Sequence, residues 1–184
     1  MNRISIVGSG GAGKSTLARD LSLRLGLPHT ELDSLYWQSG WQPADLTAFR
    51  AAVAALAAQP QWIVCGNYSK ASDLLLARAD TVIWLDYPLP LILWRLLKRT
   101  YRRAASGENL WGTGNRETWR KAFFSRDSLL LYVPRTHRRR SATFARLMAT
   151  DAYPNLVWLR FTSPQAVARW LATLPDRQPT PVLR

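Results

Sequence analysis

The chain has 184 residues, 47% of them apolar, which is enough to bury a core without crosslinks and excludes a disordered polar chain. Its single cysteine, Cys65, excludes a disulfide scaffold and a cysteine-rich zinc cluster. Twenty-five Lys and Arg against twelve Asp and Glu leave a net charge of +13, which points to a polyanionic partner: nucleotide phosphates, a nucleic-acid backbone or an anionic membrane.

In chain order, the β-branched run Ile4, Ile6 and Val7 predicts a buried strand over 3–7, stopped by Gly8. Leu17, Ala18, Leu21 and Leu25 fall on one face of a helix that starts near Ser15 and stops at Gly26 and Pro28. A short second strand over 29–32 ends at Asp33. Pro43 suits a first helical turn, with Leu46, Phe49, Val53 and Leu56 as the inward stripe of a helix ending by Pro60. A third strand over 61–65 ends at Gly66-Asn67, and a short helix covers 72–79. A fourth strand, 81–85, ends at Asp86 and leads into a basic helix over about 89–103. Residues 104–115 contain three of the ten glycines and read as a mobile surface segment. A helix broken around Pro134 runs to about Met148, a fifth strand covers 156–161, and Ser163-Pro164 opens the last helix. The proline-rich tail, 175–184, is expected to be loose.

Strands alternating with helices predict an α/β fold of three layers, a five-stranded parallel sheet with helices on both faces, in one domain over 1–174. Ligands of such sheets bind beyond the carboxyl ends of the strands, which places Gly8, Asp33, Cys65 and Asp86 on one rim. Met1 to Val7 are too short for a signal-peptide core, and the apolar run before Arg95 is far from membrane length. A soluble, cytoplasmic protein with no membrane partner is the expectation.

The chemistry sits in Gly8-Ser9-Gly10-Gly11-Ala12-Gly13-Lys14-Ser15, a full match to the phosphate-binding G-x-x-x-x-G-K-[ST] loop, followed by Thr16. Glycines let backbone N–H groups turn inward around phosphate, and the helix that follows points its positive end at the same anion. Lys14 would reach the β- and γ-phosphates, and the Ser15 hydroxyl would ligate Mg2+. Glu31 and Asp33 share one side of a strand end. Asp33 would hold the metal through water or accept a proton from an attacking hydroxyl; the alternative is a turn cap. Asp86 suits capping as well as metal binding.

Thirteen Lys and Arg lie between Arg95 and Arg140, against three acids. Arg95 and Arg99, one turn apart, would stabilise a transferred phosphoryl group or belong to a solvated basic face. Arg135, Arg138, Arg139 and Arg140 read mainly as a solvated face, though one or two could reach phosphate. Nucleic acid is a possible partner of this 95–140 region. Trp37 and Trp41 either stack on a base or ring, at about 1–3 kcal/mol per base, or anchor the following helix. His29 and His137 have no metal-ligand spacing and receive no role.

The glycine loop, Leu32-Asp33-Ser34-Leu35-Tyr36-Trp37, Gly40-Trp41, Gly66-Asn67-Tyr68-Ser69 with Asp73, and Leu85-Asp86-Tyr87-Pro88 with Arg95 and Arg99 together resemble the topology modulation proteins, small P-loop proteins similar to adenylate and shikimate kinases. The resemblance covers about residues 1–103. It implies a nucleoside-monophosphate-kinase-like fold with ATP on the loop, an acceptor-binding insertion at 34–60 that includes Trp37 and Trp41, an acceptor contact at Asn67, and a lid at 104–125. Such proteins carry an aspartate where this chain has Cys65, a change that either moves the metal burden to Asp33 and Ser15 or marks weak turnover. They commonly carry histidine at the Glu31 position. The expected function is transfer of the γ-phosphoryl group of MgATP to a small acceptor, a nucleotide or hydroxy compound. The alternatives are a nucleic-acid-associated regulator that uses ATP as a switch, or a pseudo-kinase.

Overall fold

The computed structural model describes residues 1–120, 125, 128–150 and 152–175. The elements are β1 (Arg3–Gly8), α1 (Lys14–Leu25), β2 (His29–Glu31), α2 (Leu32–Tyr36), β3 (Trp37–Gln38), β4 (Gln42–Pro43), α3 (Leu46–Ala57), β5 (Trp62–Cys65), α4 (Ser72–Leu76), β6 (Thr81–Leu85), α5 (Leu89–Ser106), α6 (Leu129–Ala149), β7 (Val157–Phe161) and α7 (Pro164–Thr173). Five of the strands form one parallel sheet in the order β2-β5-β1-β6-β7. The first strand is therefore central, with Ile6 flanked in register by Cys65 and Ile83.

Period two sorts the central strands between two cores. Ile4, Ile6, Ile63, Cys65, Ile83 and Leu85 face α1, α5 and α7, meeting Leu17, Leu21, Ile92, Leu96 and Val167. On the other face Trp62 and Val64 pack on Phe49, Val53 and Leu75, while Val82 and Trp84 meet Phe144 and Leu147 of α6. Each fully buried aliphatic side chain contributes about 1.5–3 kcal/mol. All five sheet strands carry their carboxyl ends to one rim, as expected.

Four local expectations change. The second strand stops at Glu31, so Asp33 lies in the first turn of α2, followed by the small antiparallel pair β3–β4. Pro43 belongs to β4; helix α3 starts at Leu46, capped by Asp45, whose carboxylate accepts the Thr47 and Ala48 N–H groups. Its inward stripe is Phe49, Val53 and Ala57, spaced four apart, and Leu46 is left exposed at the first turn. Pro134 does not break α6: it removes one ladder donor in the second turn, between the buried Val133 and Thr136. Residues 104–106 continue α5, and the segment beyond is packed rather than loose, with Leu110 bridged to Asn115 and both buried. The tail over 176–184 and residues 121–124 of the expected lid lie outside the described residues. Among the described residues no helix is long and apolar enough to cross a membrane.

Candidate functional site

The glycine loop leaves β1 at the centre of the rim. Two of its glycines are demanded by contact: a Cβ on Gly8 would lie 2.6 Å from the Leu85 carbonyl oxygen, and one on Gly11 would lie 2.8 Å from that of Ile92. The Ala12 N–H closes the loop on the Ser9 carbonyl at 3.1 Å. Gly13 caps α1 with no side chain on the first amides, which leaves them free for an anion. Lys14 folds back over the loop, its ammonium donating to Gly8 O at 2.8 Å and Ser9 O at 3.1 Å. Burial pulls its pKa down to about 8, against the opposing pull of Asp33.

Next to β1, the end of β5 braces the loop. The Asn67 carboxamide accepts the Gly8 N–H at 3.2 Å and donates to the Gly8 carbonyl. Cys65 Sγ lies 3.9 Å from Ser15 Oγ. Burial, reinforced by Glu31, pushes the Cys65 thiol up to about 12, so it is protonated at neutral pH. The Asp33 carboxylate accepts the Tyr68 hydroxyl, and burial together with Asp33 holds Tyr68 well above the usual phenol range. Glu31, half-buried, accepts the Trp111 indole N–H at 3.1 Å.

Helix α5 supplies cations. The Arg95 guanidinium sits 5.6 Å from the Tyr87 ring centroid, beside the loop at Ala12 O. Arg99 is half-buried, and its buried Nε has no hydrogen-bond partner among the described residues; burial and then Arg103 lower its pKa, while Glu117, Asp33 and Glu31 act the other way. Arg103 pairs with Glu108 at 3.5 Å and Glu117 at 3.4 Å. These elements enclose a cleft of about 960 Å³ that reaches from the loop and Lys14 to Asp33 and Trp37, with Arg95, Arg99 and Arg140 on its walls.

The expected aromatic pair divides. Trp37 lines the cleft, whereas Trp41 is turned into an aromatic row, 5.8 Å from Trp37 and 6.0 Å from Trp111 between ring centroids. Trp41 has φ 62, and its N–H donates to Asn115 Oδ1 at 2.8 Å; Asn115 Nδ2 donates to Gln38 O at 2.8 Å. Asp86 neither caps a helix nor faces the cleft. One of its oxygens receives Arg160 Nε and Nη2 at 3.0 and 2.6 Å, the other the Ser141 hydroxyl at 2.9 Å.

Sequence reasoning allowed one or two arginines of α6 to reach phosphate but missed the rest of the part this helix plays. Val133 meets Gly10, His137 Nδ1 lies 2.9 Å from Ser9 Oγ, and Arg140 lines the cleft with its guanidinium 5.3 Å from the Tyr132 ring centroid. The spacing 133, 137, 140 marks one helical face and was the available signal. Arg135, Arg138 and Arg139 are exposed. No group of three or more His, Cys, Asp or Glu able to hold a metal ion occurs among the described residues.

No protein-family model matches the chain, and a search of curated proteins by sequence finds no match. Solved structures do match over nearly the whole length. The shikimate kinase of Acinetobacter baumannii in complex with shikimate superposes with TM-score 0.56 and 18% identity, over 94% of this chain and 89% of that one. A gluconokinase from Sinorhizobium meliloti 1021 gives TM-score 0.51 and 17% identity over 93% and 89%. The shikimate kinase of Bacteroides thetaiotaomicron gives 0.53 and 14% over 93% and 94%. The chain has the P-loop kinase fold.

Proposed function

We propose that the chain is a small-molecule kinase that transfers the γ-phosphoryl group of MgATP to a small acceptor, a nucleotide or hydroxy compound. One observation carries this reading: a single cleft joins the glycine loop and its lysine to the Asp33 carboxylate, with arginines from two helices on its walls. In it residues 8–16 cradle the phosphates, through amides other than those of Gly8 and Ala12, which are bonded to Asn67 and Ser9. Lys14 leaves its two loop carbonyls for phosphate oxygens. Arg95 and Arg99 neutralise charge that spreads over the moving group, and Arg99 Nε has a hydrogen bond to give. Asp33, steadied by Tyr68, takes the proton of the acceptor hydroxyl as its oxygen bonds to phosphorus and ADP departs. Trp37 flanks the acceptor, and Asn67 acts through Gly8 as a brace. The described residues that follow α5, 107–120, would serve as the lid that keeps water from the phosphoryl group.

Mg2+ would be held by the Ser15 hydroxyl directly and by Asp33 through water, which leaves the Asp33 carboxylate open to the acceptor's proton. One hydroxyl and one carboxylate fit an ion that keeps several waters and takes its remaining oxygens from phosphate. When bound it would supply charge neutralisation at the β- and γ-phosphates. ATP in place of GTP, and kinship with the topology modulation proteins, rest on the sequence resemblance alone.

The test is to incubate protein and MgATP with nucleoside monophosphates and small hydroxy compounds and look for a mass gain of one phosphoryl group. Product should vanish in Lys14→Ala, and Asp33→Asn should lose turnover far more than nucleotide affinity. A second reading, a pseudo-kinase, is favoured by one feature: the neutral Cys65 thiol beside Ser15, where a carboxylate would strengthen metal binding. Turnover appearing only in Cys65→Asp would select it. The nucleic-acid regulator has less support, because Arg95, Arg99, Arg102, Arg103 and Arg140 turn into the cleft. Salt-sensitive DNA or RNA affinity that survives in Lys14→Ala would revive it.

A further inference from the structure

We infer that His137 is a positioning residue for the nucleotide: through Ser9 it sets the conformation in which the glycine loop receives phosphate. The inference rests on the reading of the cleft as a nucleotide site and adds a residue from a distant helix to it.

Ser9 is the hub of the loop. Its carbonyl accepts two donors, the Ala12 amide at 3.1 Å and the Lys14 ammonium at 3.1 Å, so the orientation of the Ser9 peptide fixes both the loop's closing turn and the resting place of the lysine. Its side chain points the other way, where the hydroxyl meets His137 Nδ1 at 2.9 Å. Ser9 is buried, so water does not readily replace that partner. A serine whose side chain is held on one side has less freedom to rotate its peptide on the other. The helix turns on either side of His137 are placed against the loop and the cleft. One turn before it Val133 is buried against Gly10, and one turn after it Arg140 lines the cleft, while Thr136 ties its hydroxyl to Tyr132 O at 2.9 Å. The contact thus registers the loop against the helix that carries Arg140, across 128 positions of sequence. Without it the loop keeps its glycines but loses the reference that holds the Ser9 carbonyl inward.

The experiment measures MgADP binding by isothermal titration calorimetry for wild type, His137→Ala, His137→Asn, Ser9→Ala and the double variant Ser9→Ala/His137→Ala, with circular dichroism to verify folding. Loss of this part-buried hydrogen bond weakens binding by more than about twofold and up to roughly tenfold in each alanine variant. The double variant is expected to be no weaker than either single one, because both remove the same bond. His137→Asn, whose carboxamide can occupy the Nδ1 position, should recover most of the affinity. His137→Ala or Ser9→Ala within twofold of wild type, or additive losses, would overturn the inference while leaving the nucleotide site standing. If His137→Ala fails to fold, Ser9→Ala and His137→Asn decide by the same criteria. A wild-type protein that binds no MgADP would bring down the nucleotide site and this inference with it.

Discussion

Replacing Gly11 by alanine separates two effects that the glycine loop combines. Gly11 has φ +87, and an L-residue in that region costs about 1–2 kcal/mol. The added Cβ would also lie 2.8 Å from the Ile92 carbonyl oxygen and 3.1 Å from Leu96 Cβ. Both belong to α5, whose backbone cannot rotate aside, so overpacking adds about 1–3 kcal/mol. Gly40, at φ +69 with nothing within 4 Å, supplies the control: it bears the conformational penalty alone. Part of that penalty is offset in both variants by the stiffer unfolded chain. Gly11→Ala should therefore be less stable than Gly40→Ala by about 1–3 kcal/mol, or roughly 3–10 °C in Tm for a chain of this length. Thermal and urea unfolding followed by circular dichroism measure the gap. MgADP affinity should fall only in Gly11→Ala, because α5 must shift away from the loop. Equal Tm losses in the two variants would refute the contact argument.

Lys14, with a pKa near 8, should take up a proton when phosphates arrive, about 0.1 at pH 7 and roughly 0.75 at pH 8.5. Calorimetry of MgADP binding in buffers of different ionisation enthalpy reads this, and the pH-dependent part should disappear in Lys14→Ala. Because the unfolded chain keeps that proton to about 10.5, the lysine's burial penalty is full below pH 8 and eases as pH rises from 8 to 10.5. Tyr68→Phe removes the hydroxyl from Asp33 and should lower kcat by about tenfold with MgADP affinity unchanged, as product assays and calorimetry would reveal. Arg160→Ala strips Asp86 of its ion pair and should lower unfolding free energy by about 1–2 kcal/mol in urea titration, again with MgADP affinity unchanged.

The sheet and the glycine loop were legible because both are local. Ile4, Ile6, Ile83 and Leu85 alternate on the sheet's period, and the loop's glycines stand at fixed offsets from the lysine. Asp33 was correctly brought to the rim but wrongly placed at a strand end, since a five-residue helix after a three-residue strand has too few residues to display a period. Pro43 read as a helix start because proline suits a first turn and a β-pair edge alike. The glycines of residues 104–115 suggested looseness, yet the buried Asn115 is bonded to Gln38 and Trp41, more than seventy positions earlier. The contact between Ser9 and His137 was invisible for the same reason: each residue is ordinary in its own neighbourhood, and only the packing of α6 on the loop gives the pair a meaning.

The Asn115 carboxamide sews two distant strips of chain into one seam. Parting them would break both of its bonds, at a net cost of about 0.5–1.5 kcal/mol each once water replaces the partner. A swing of residues 107–116 therefore drags Trp41 along and, through its edge-to-face contact with Trp37, disturbs the cleft wall. The strip at 107–116 and the cleft wall at Trp37 are thereby geared together.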